Sequence, residues 1–157
     1  MRYYFITLDD EPICSDDISL TGFEAIKGKK IKVIKAYSGY ACAIKSDDSL
    51  SCWGTMPEAI KNVYDSQIRD KKVLQISLGS ENICLLLAAD QQLYCYGGNS
   101  YGQTNATKIA ELNKRKPKAV FSGSMHTCVV DAEDKLSCLG WSAELPHIKD
   151  MQDEIMK

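Results

Sequence analysis

The sequence predicts an all-β repeat fold, and three observations carry that prediction. Cysteine pairs recur in one local setting: Cys42-AIKSDDSLS-Cys52-WG, Cys84-LLLAADQQLY-Cys95-YG and Cys128-VVDAEDKLS-Cys138-LG. The first cysteines stand 42 and 44 positions apart, and the residue after each second cysteine (Trp53, Tyr96, Leu139) recurs every 43. Around each pair, short β-prone runs are broken by Gly, Ser and Asp turn residues. A repeat of this kind cannot bury its apolar face alone and must stack on neighbours. Short strands at this period point to small antiparallel sheets arranged radially, a β-propeller of about four repeats.

The elements follow in chain order as one repeat domain over 1–157, with units at 1–26, 27–60, 61–109 and 110–148 and a tail at 149–157. The first unit is a degenerate copy, Tyr4-FITLDDEPI-Cys14, with the ten-residue spacing of Cys42 to Cys52 and Asp9-Asp10 where the second unit has Asp47-Asp48. In the second unit Val33–Tyr37 is β-prone and ends at Gly39, which reads as the turn. Ala41–Ile44 resumes, Ser46-Asp47-Asp48 turns, and Leu50–Trp53 returns. A three-residue loop at 46–48 sets Cys42 opposite Cys52. A two-residue loop at Ala89-Asp90 does the same for Cys84 and Cys95, and a loop at 132–134 for Cys128 and Cys138. Between hairpins, Pro57-Glu-Ala-Ile60 and Pro146-His-Ile148 read as one short strand, with Phe23-Glu-Ala-Ile26 a weaker version. The polar segments 61–71 and 105–116 can each hold a helical turn. Leu145, Ile148, Met151 and Ile155 form a short amphipathic pattern at the end.

Bulk composition narrows the function classes. At 157 residues, 45% apolar and 25% charged, the chain is an ordinary globular domain. A net charge of −2 without a basic stripe argues against a nucleic-acid binder. Lys114-Arg115-Lys116 reads as a solvated loop. No segment approaches membrane length, and the N-terminal apolar run is too short for a signal peptide, which predicts a cytoplasmic protein. Seven cysteines pull the other way, towards a secreted protein with oxidised pairs. Opposed residues of an antiparallel pair meet the separation a disulfide needs. Small, reduced, buried thiols fit the same positions, and both readings stay open.

The residues resemble the regulator-of-chromosome-condensation repeat family. Its repeat has an apolar strand ending in Gly, then x-x-His, a strand, a turn, an aromatic-Gly pair and Asn-x-x-Gly-Gln. The match is best at Val120-Phe-Ser-Gly123-Ser-Met-His126-Thr-Cys128 and at Tyr96-Gly97-Gly98-Asn99-Ser-Tyr-Gly102-Gln103. In this alignment the His slot holds Asn82 in one unit and is lost in another, where only Tyr40-Ala41 separates Gly39 from Cys42. The family resembles closed rings of about seven blades. This chain, with about four, implies a small ring, an arc, or half of a ring completed by a second chain as a homodimer. The resemblance also implies a structural role for His126.

No chemistry-bearing constellation emerges. Gly97-GNSY-Gly102-Gln103-Thr104 mimics a phosphate loop but lacks its Lys. His126 and Cys128 share a strand face without an evident oxyanion site. The paired aspartates sit at hairpin tips, where Asp favours the turn. Without a CxxC spacing no zinc site is expected, nor any cofactor. Asn105-Ala-Thr107 is a glycosylation sequon, relevant to an exported chain. The expectation is therefore a non-enzymatic protein-binding module. Alternatives from the resemblance are a regulator or exchange factor for a small GTPase and a secreted, disulfide-bonded inhibitor or adhesion-type binder. Recognition on a propeller belongs to loops. Tyr40, Glu81 and Met125, read as the post-glycine turn residues of three units, are the expected protein-binding positions, with Tyr40 as the anchor.

Overall fold

A computed structural model describes residues 4–14 and 23–141. Within them lie a two-stranded hairpin, β1 (Tyr4–Ile6) and β2 (Pro12–Cys14), and three three-stranded antiparallel meanders. These are β3 (Ile31–Tyr37), β4 (Tyr40–Lys45) and β5 (Leu50–Gly54); β6 (Val73–Leu78), β7 (Asn82–Leu87) and β8 (Leu93–Gly97); and β9 (Pro117–Ser122), β10 (His126–Asp131) and β11 (Leu136–Gly140). Each meander is one blade of a propeller arc, with its middle strand paired on both sides.

The hairpin register follows the cysteine spacing. Cys42 opposes Cys52, Cys84 opposes Cys95, and Cys128 opposes Cys138. Their S–S distances are 2.06, 2.12 and 2.14 Å. Tyr4 opposes Cys14 in the same register. Three of the hairpin loops share one geometry. The amides of Thr7, Lys45 and Asp131 donate to the carbonyls of Glu11, Ser49 and Lys135, and the third loop residue is an Asp with φ of +62°, +69° or +63° (Asp10, Asp48, Asp134). This is the three-residue hairpin loop with a left-handed third residue, a conformation Asp tolerates. The loop between β7 and β8 differs from the expected two residues. Leu87 N–H donates to Gln92 O across a four-residue loop, 88–91, with Gln91 left-handed at φ +56°. The extra residue of this unit is taken up there without disturbing Cys84 and Cys95.

The segments returning from one blade to the next are helical. The residues Pro57–Ile60, expected as a strand, open α1 (Glu58–Val63), which runs on into a π-helical turn at Tyr64–Ile68. Phe23–Ala25 is likewise a single helical turn. Proline suits a helix start, where its missing N–H has no partner to lose. α2 (Ala106–Asn113) is capped by Asn105, whose side chain accepts from Lys108 N–H at 3.1 Å. The Pro146–Ile148 element and the C-terminal amphipathic pattern lie outside the described residues.

Alternation along the strands puts the core between blades. Tyr40, Cys42, Ile44 and Leu50 pack with Ile60 and Tyr64 against Val73, Ile76, Ile83 and Leu85 of the second blade. The opposite face of β4, Ala41 and Ala43, joins Trp53, Ile26 and Ile31 towards the N-terminal hairpin. Cys84 and Leu93 meet Ile109, Leu112, Val120 and Val129 at the next junction. Small Ala and Cys side chains in the middle strands let neighbouring sheets approach. The first strands β3, β6 and β9 line an open groove of about 620 Å³ whose walls include Val33, Tyr37, Leu74, Ile76 and Phe121. Gln75 ties two of these strands, donating to Lys118 O at 2.7 Å and accepting from Val120 N–H at 3.2 Å.

A candidate protein-recognition face

Each meander has two ends, and the ends of successive blades form two faces. One carries the hairpin loops 46–48, 88–91 and 132–134. The other carries the tight turns Ser38-Gly39, Ser80-Glu81 and Ser124-Met125, together with the chain leaving β5, β8 and β11. We call these the hairpin face and the turn face.

The turn face corrects the alignment expected from the glycines. Tyr40 opposes Gly54, Asn82 opposes Gly97, and His126 opposes Gly140. Tyr40 therefore fills the slot held by Asn82 and His126, and the slot is not lost in that blade. Tyr37, rather than Gly39, is equivalent to Gly79 and Gly123, which leaves Ser-x as the two-residue turn in all three blades. Tyr40 is 2% exposed, so it is a core residue and not a surface anchor. Its hydroxyl donates to Gly79 O at 3.0 Å across the blade junction. Burial, with Tyr37 nearby adding to it, raises its phenol well above the ordinary tyrosine value. Asn82, fully buried, makes the corresponding reach to Thr127 Oγ1 at 3.2 Å.

Glu81 and Met125 are equivalent to Gly39 and occupy the second turn position, Glu81 exposed and Met125 half-buried. Their backbones lock the turn to the strand end opposite. The carbonyls of Gly39, Glu81 and Met125 accept from the amides of Thr55, Gly98 and Trp141 at 2.8, 2.7 and 3.0 Å. This closeness is why each third strand ends in glycine. Gly97 has φ +105°, and a Cβ there would stand 2.0 Å from the Glu81 carbonyl oxygen.

Two aromatic residues, absent from the sequence-based candidates, stand out on this face. Tyr101 and Trp141 are 48% and 47% exposed, and their rings lie 6.3 Å apart at an interplanar angle of 48°. The loop Gly98–Asn105 holds Tyr101 outwards through its own bonds. Thr104 Oγ1 donates to Gly98 O at 3.1 Å, Thr104 N–H to Asn99 Oδ1 at 3.1 Å, and Tyr101 N–H to Gln103 Oε1 at 3.0 Å. Gln103 itself is 2% exposed. The Asn-x-x-Gly-Gln pattern is thus a self-bonded loop, and Tyr101 is one of its unspecified positions. The available sequence signal was an aromatic in that loop and another just after Gly140.

The hairpin face has a different character. Ion pairs join Lys32 to Asp48 at 2.5 Å, Lys72 to Asp47 at 3.4 Å and Lys45 to Asp70 at 3.7 Å, and Lys118 pairs with Asp134. Asp131 is 3% exposed; it accepts from the amides of Glu133 and Lys135 at 3.0 Å each and pairs with Arg115. Burial pushes its carboxyl up, yet those amides and the Arg115 guanidinium outweigh burial and hold it below the ordinary value. The aspartates at the tips are engaged in turn geometry: Asp47 Oδ1 accepts from both Ser49 N–H (2.9 Å) and Ser49 Oγ (2.5 Å). Among the described residues, no group of three His, Cys, Asp or Glu is arranged to hold a metal. No helix among them is long and apolar enough to cross a membrane.

The architecture defines the class: this is an arc of a β-propeller. Residues 73–103, which are β6 to β8 plus the Asn-x-x-Gly-Gln loop, match the Regulator of chromosome condensation (RCC1) repeat. That blade is thus similar to a repeat of this type. Among solved structures it is similar to the CRINKLY WD40 ectodomain of the Arabidopsis thaliana receptor kinase ACR4 (TM-score 0.61, 19% identity, 89% of this chain and 50% of that one). The ectodomain of the Physcomitrella patens receptor kinase CR4 gives a TM-score of 0.65 at 15% identity over 90% of this chain and 39% of that one. Prp20p from Saccharomyces cerevisiae, a protein characterised for its binding to Gsp1p and histones, gives 0.56 at 17% identity, over 83% of this chain and 35% of that one. The chain therefore spans half or less of the length of these propellers.

Proposed function

We propose that this chain is a non-enzymatic protein-recognition module acting through its turn face. The observation that carries the reading is the adjacent exposed pair Tyr101 and Trp141 on hydrogen-bonded loops. Aromatic residues on rigid supports supply contact area at low entropic cost, and they dominate binding hot spots. Glu81 and Met125 flank this pair as secondary contacts. Tyr40 supports the face from beneath. The Saccharomyces relative's binding to Gsp1p and histones agrees with a recognition role for such folds.

Site-specific photocrosslinking tests this. A benzoylphenylalanine at Ser124, on the turn face, is expected to give discrete protein adducts in the source cells, and one at Asp47, on the hairpin face, is not. Equal labelling from both positions, or none from Ser124, overturns the reading. Light scattering on the purified chain asks separately whether a second copy completes the ring.

The cross-strand cysteine pairs favour one variant of this reading, a disulfide-bonded binder working in an oxidising compartment. Thiol labelling of freshly isolated protein is expected to leave Cys42, Cys52, Cys84, Cys95, Cys128 and Cys138 unmodified; full labelling of all six removes that variant. An exchange-factor role would show as stimulated release of labelled GDP from a small GTPase, and its absence across a panel of GTPases removes that alternative.

A further inference from the structure

We propose that the Tyr101–Trp141 pair receives an arginine-bearing extended segment of the protein partner. The inference rests on the recognition role proposed above and adds the chemistry of what is recognised. Two rings 6.3 Å apart and tilted by 48° form an open wedge rather than a closed stack, and each remains about half exposed. Both are held by their own backbones, Tyr101 through Gln103 Oε1 and Trp141 through Met125 O, so little freedom is lost on binding.

Charge selects the ligand. Among the described residues of the turn face the charged groups are Glu81, Glu58 at the start of α1 and Lys108 in the first turn of α2, which leaves the face net negative. The Glu81 carboxylate lies over Gly98, with Oε2 2.9 Å from where a Cβ on that glycine would stand. Gly98 opens the loop that carries Tyr101. A cation meeting this face therefore finds π faces and a carboxylate within one strip. Guanidinium fits better than ammonium because it is planar, stacks on rings, pairs bidentately with carboxylate and is weakly hydrated. The apolar Met125 beside Trp141 suits an aliphatic or prolyl neighbour of that arginine. A phosphate-rich partner would meet carboxylates here, and a glycan stacking on the rings would gain nothing from their charge.

Selection from a random-peptide display library on the immobilised full chain tests this, followed by titration of the synthesised winners. The protein has two tryptophans, and Trp53 is 2% exposed, so the emission change reports on Trp141. The expected winners carry an arginine beside an apolar residue. Their affinity, read by calorimetry in the variant that lacks Trp141, should fall about tenfold or more in Trp141→Ala, and about three- to tenfold in Glu81→Gln and on replacing the peptide arginine by lysine. Unchanged thermal melting of both variants excludes unfolding as the cause. Acidic winners, winners without a shared cation, or affinity indifferent to Trp141→Ala and Glu81→Gln overturn the inference while leaving protein recognition standing. A library that yields nothing, or a glycan array that binds in its place, overturns it too. The photocrosslinking experiment then decides independently whether the face recognises protein at all.

Discussion

The two faces of the arc are made by the same three meanders, yet they are built on different physical chemistry. On the hairpin face, aspartates adopt left-handed or side-chain-bonded turn conformations, and lysines from neighbouring strands pair with them. Its side chains are consumed in holding the loops. On the turn face the two-residue turns are held by backbone bonds, from Thr55, Gly98 and Trp141 to the carbonyl opposite, and the loop after β8 by its polar Asn99, Gln103 and Thr104 side chains. The aromatic side chains of Tyr101 and Trp141 are left available. The difference teaches that exposure is a weaker pointer to function than whether the exposed side chain is itself consumed in holding its loop.

The comparison can be broken at its foundation. Tyr40→Ala removes a buried ring and the bond to Gly79, and is expected to cost about 3–5 kcal/mol in chemical denaturation. Tyr40→Phe, which loses only the hydroxyl, should cost about 1 kcal/mol. The raised phenol also fixes a pH signature. Below about pH 10 both folded and unfolded chains keep the proton; above it the unfolded chain releases it first. Tyr40 therefore makes stability fall as pH rises beyond about 10, and Tyr40→Phe should lose that part of the alkaline decline.

Next in size is the buried carboxylate of the hairpin face. Asp131→Ala strips two amides and Arg115 of their acceptor and should cost about 2–3 kcal/mol. The folded value of Asp131 lies below the ordinary one, so its contribution is present above about pH 4 and is lost as pH falls through the folded value. An acid titration of stability should accordingly be shallower in Asp131→Asn.

Smaller effects sharpen the contrast. Lys118→Ala removes a pair whose side chains are 49% and 63% exposed, and should cost under about 1 kcal/mol, vanishing at high salt. Trp141→Ala should change stability by no more than about 0.5 kcal/mol. If Trp141→Ala proves as destabilising as Asp131→Ala, the ring is structural and the turn face loses its distinction.

Most local features are legible in the sequence, although the loop between β7 and β8 has four residues where the spacing implied two. The spacing of Cys42 to Cys52 and of Cys128 to Cys138 implied three-residue loops and directly opposed pairs, and the loops have that form. A hairpin register depends on a dozen consecutive residues and on the alternation of a strand, so it is legible in sequence. The turn aspartates were legible for the same reason. The larger errors arose where a partner came from elsewhere in the chain. Gly39 looked like the counterpart of Gly79 and Gly123, but the strand pairing matches Tyr37 to them and puts Tyr40 in the slot of Asn82 and His126. Pro57–Ile60 looked like a strand because its apolar residue repeats, whereas Ile60 is buried against two blades from a helix.

By itself, then, the sequence determined the repeat, the all-β class, the hairpin registers and the opposed cysteines, because each is written in short-range spacing. Only the tertiary structure decided that Tyr40 is buried and that Tyr101 and Trp141 meet. Those facts depend on neighbouring blades stacking, which brings together residues some 40 positions apart, as Tyr40 with Gly79 and Tyr101 with Trp141. No local periodicity encodes such a meeting; the geometry of the blade junction does.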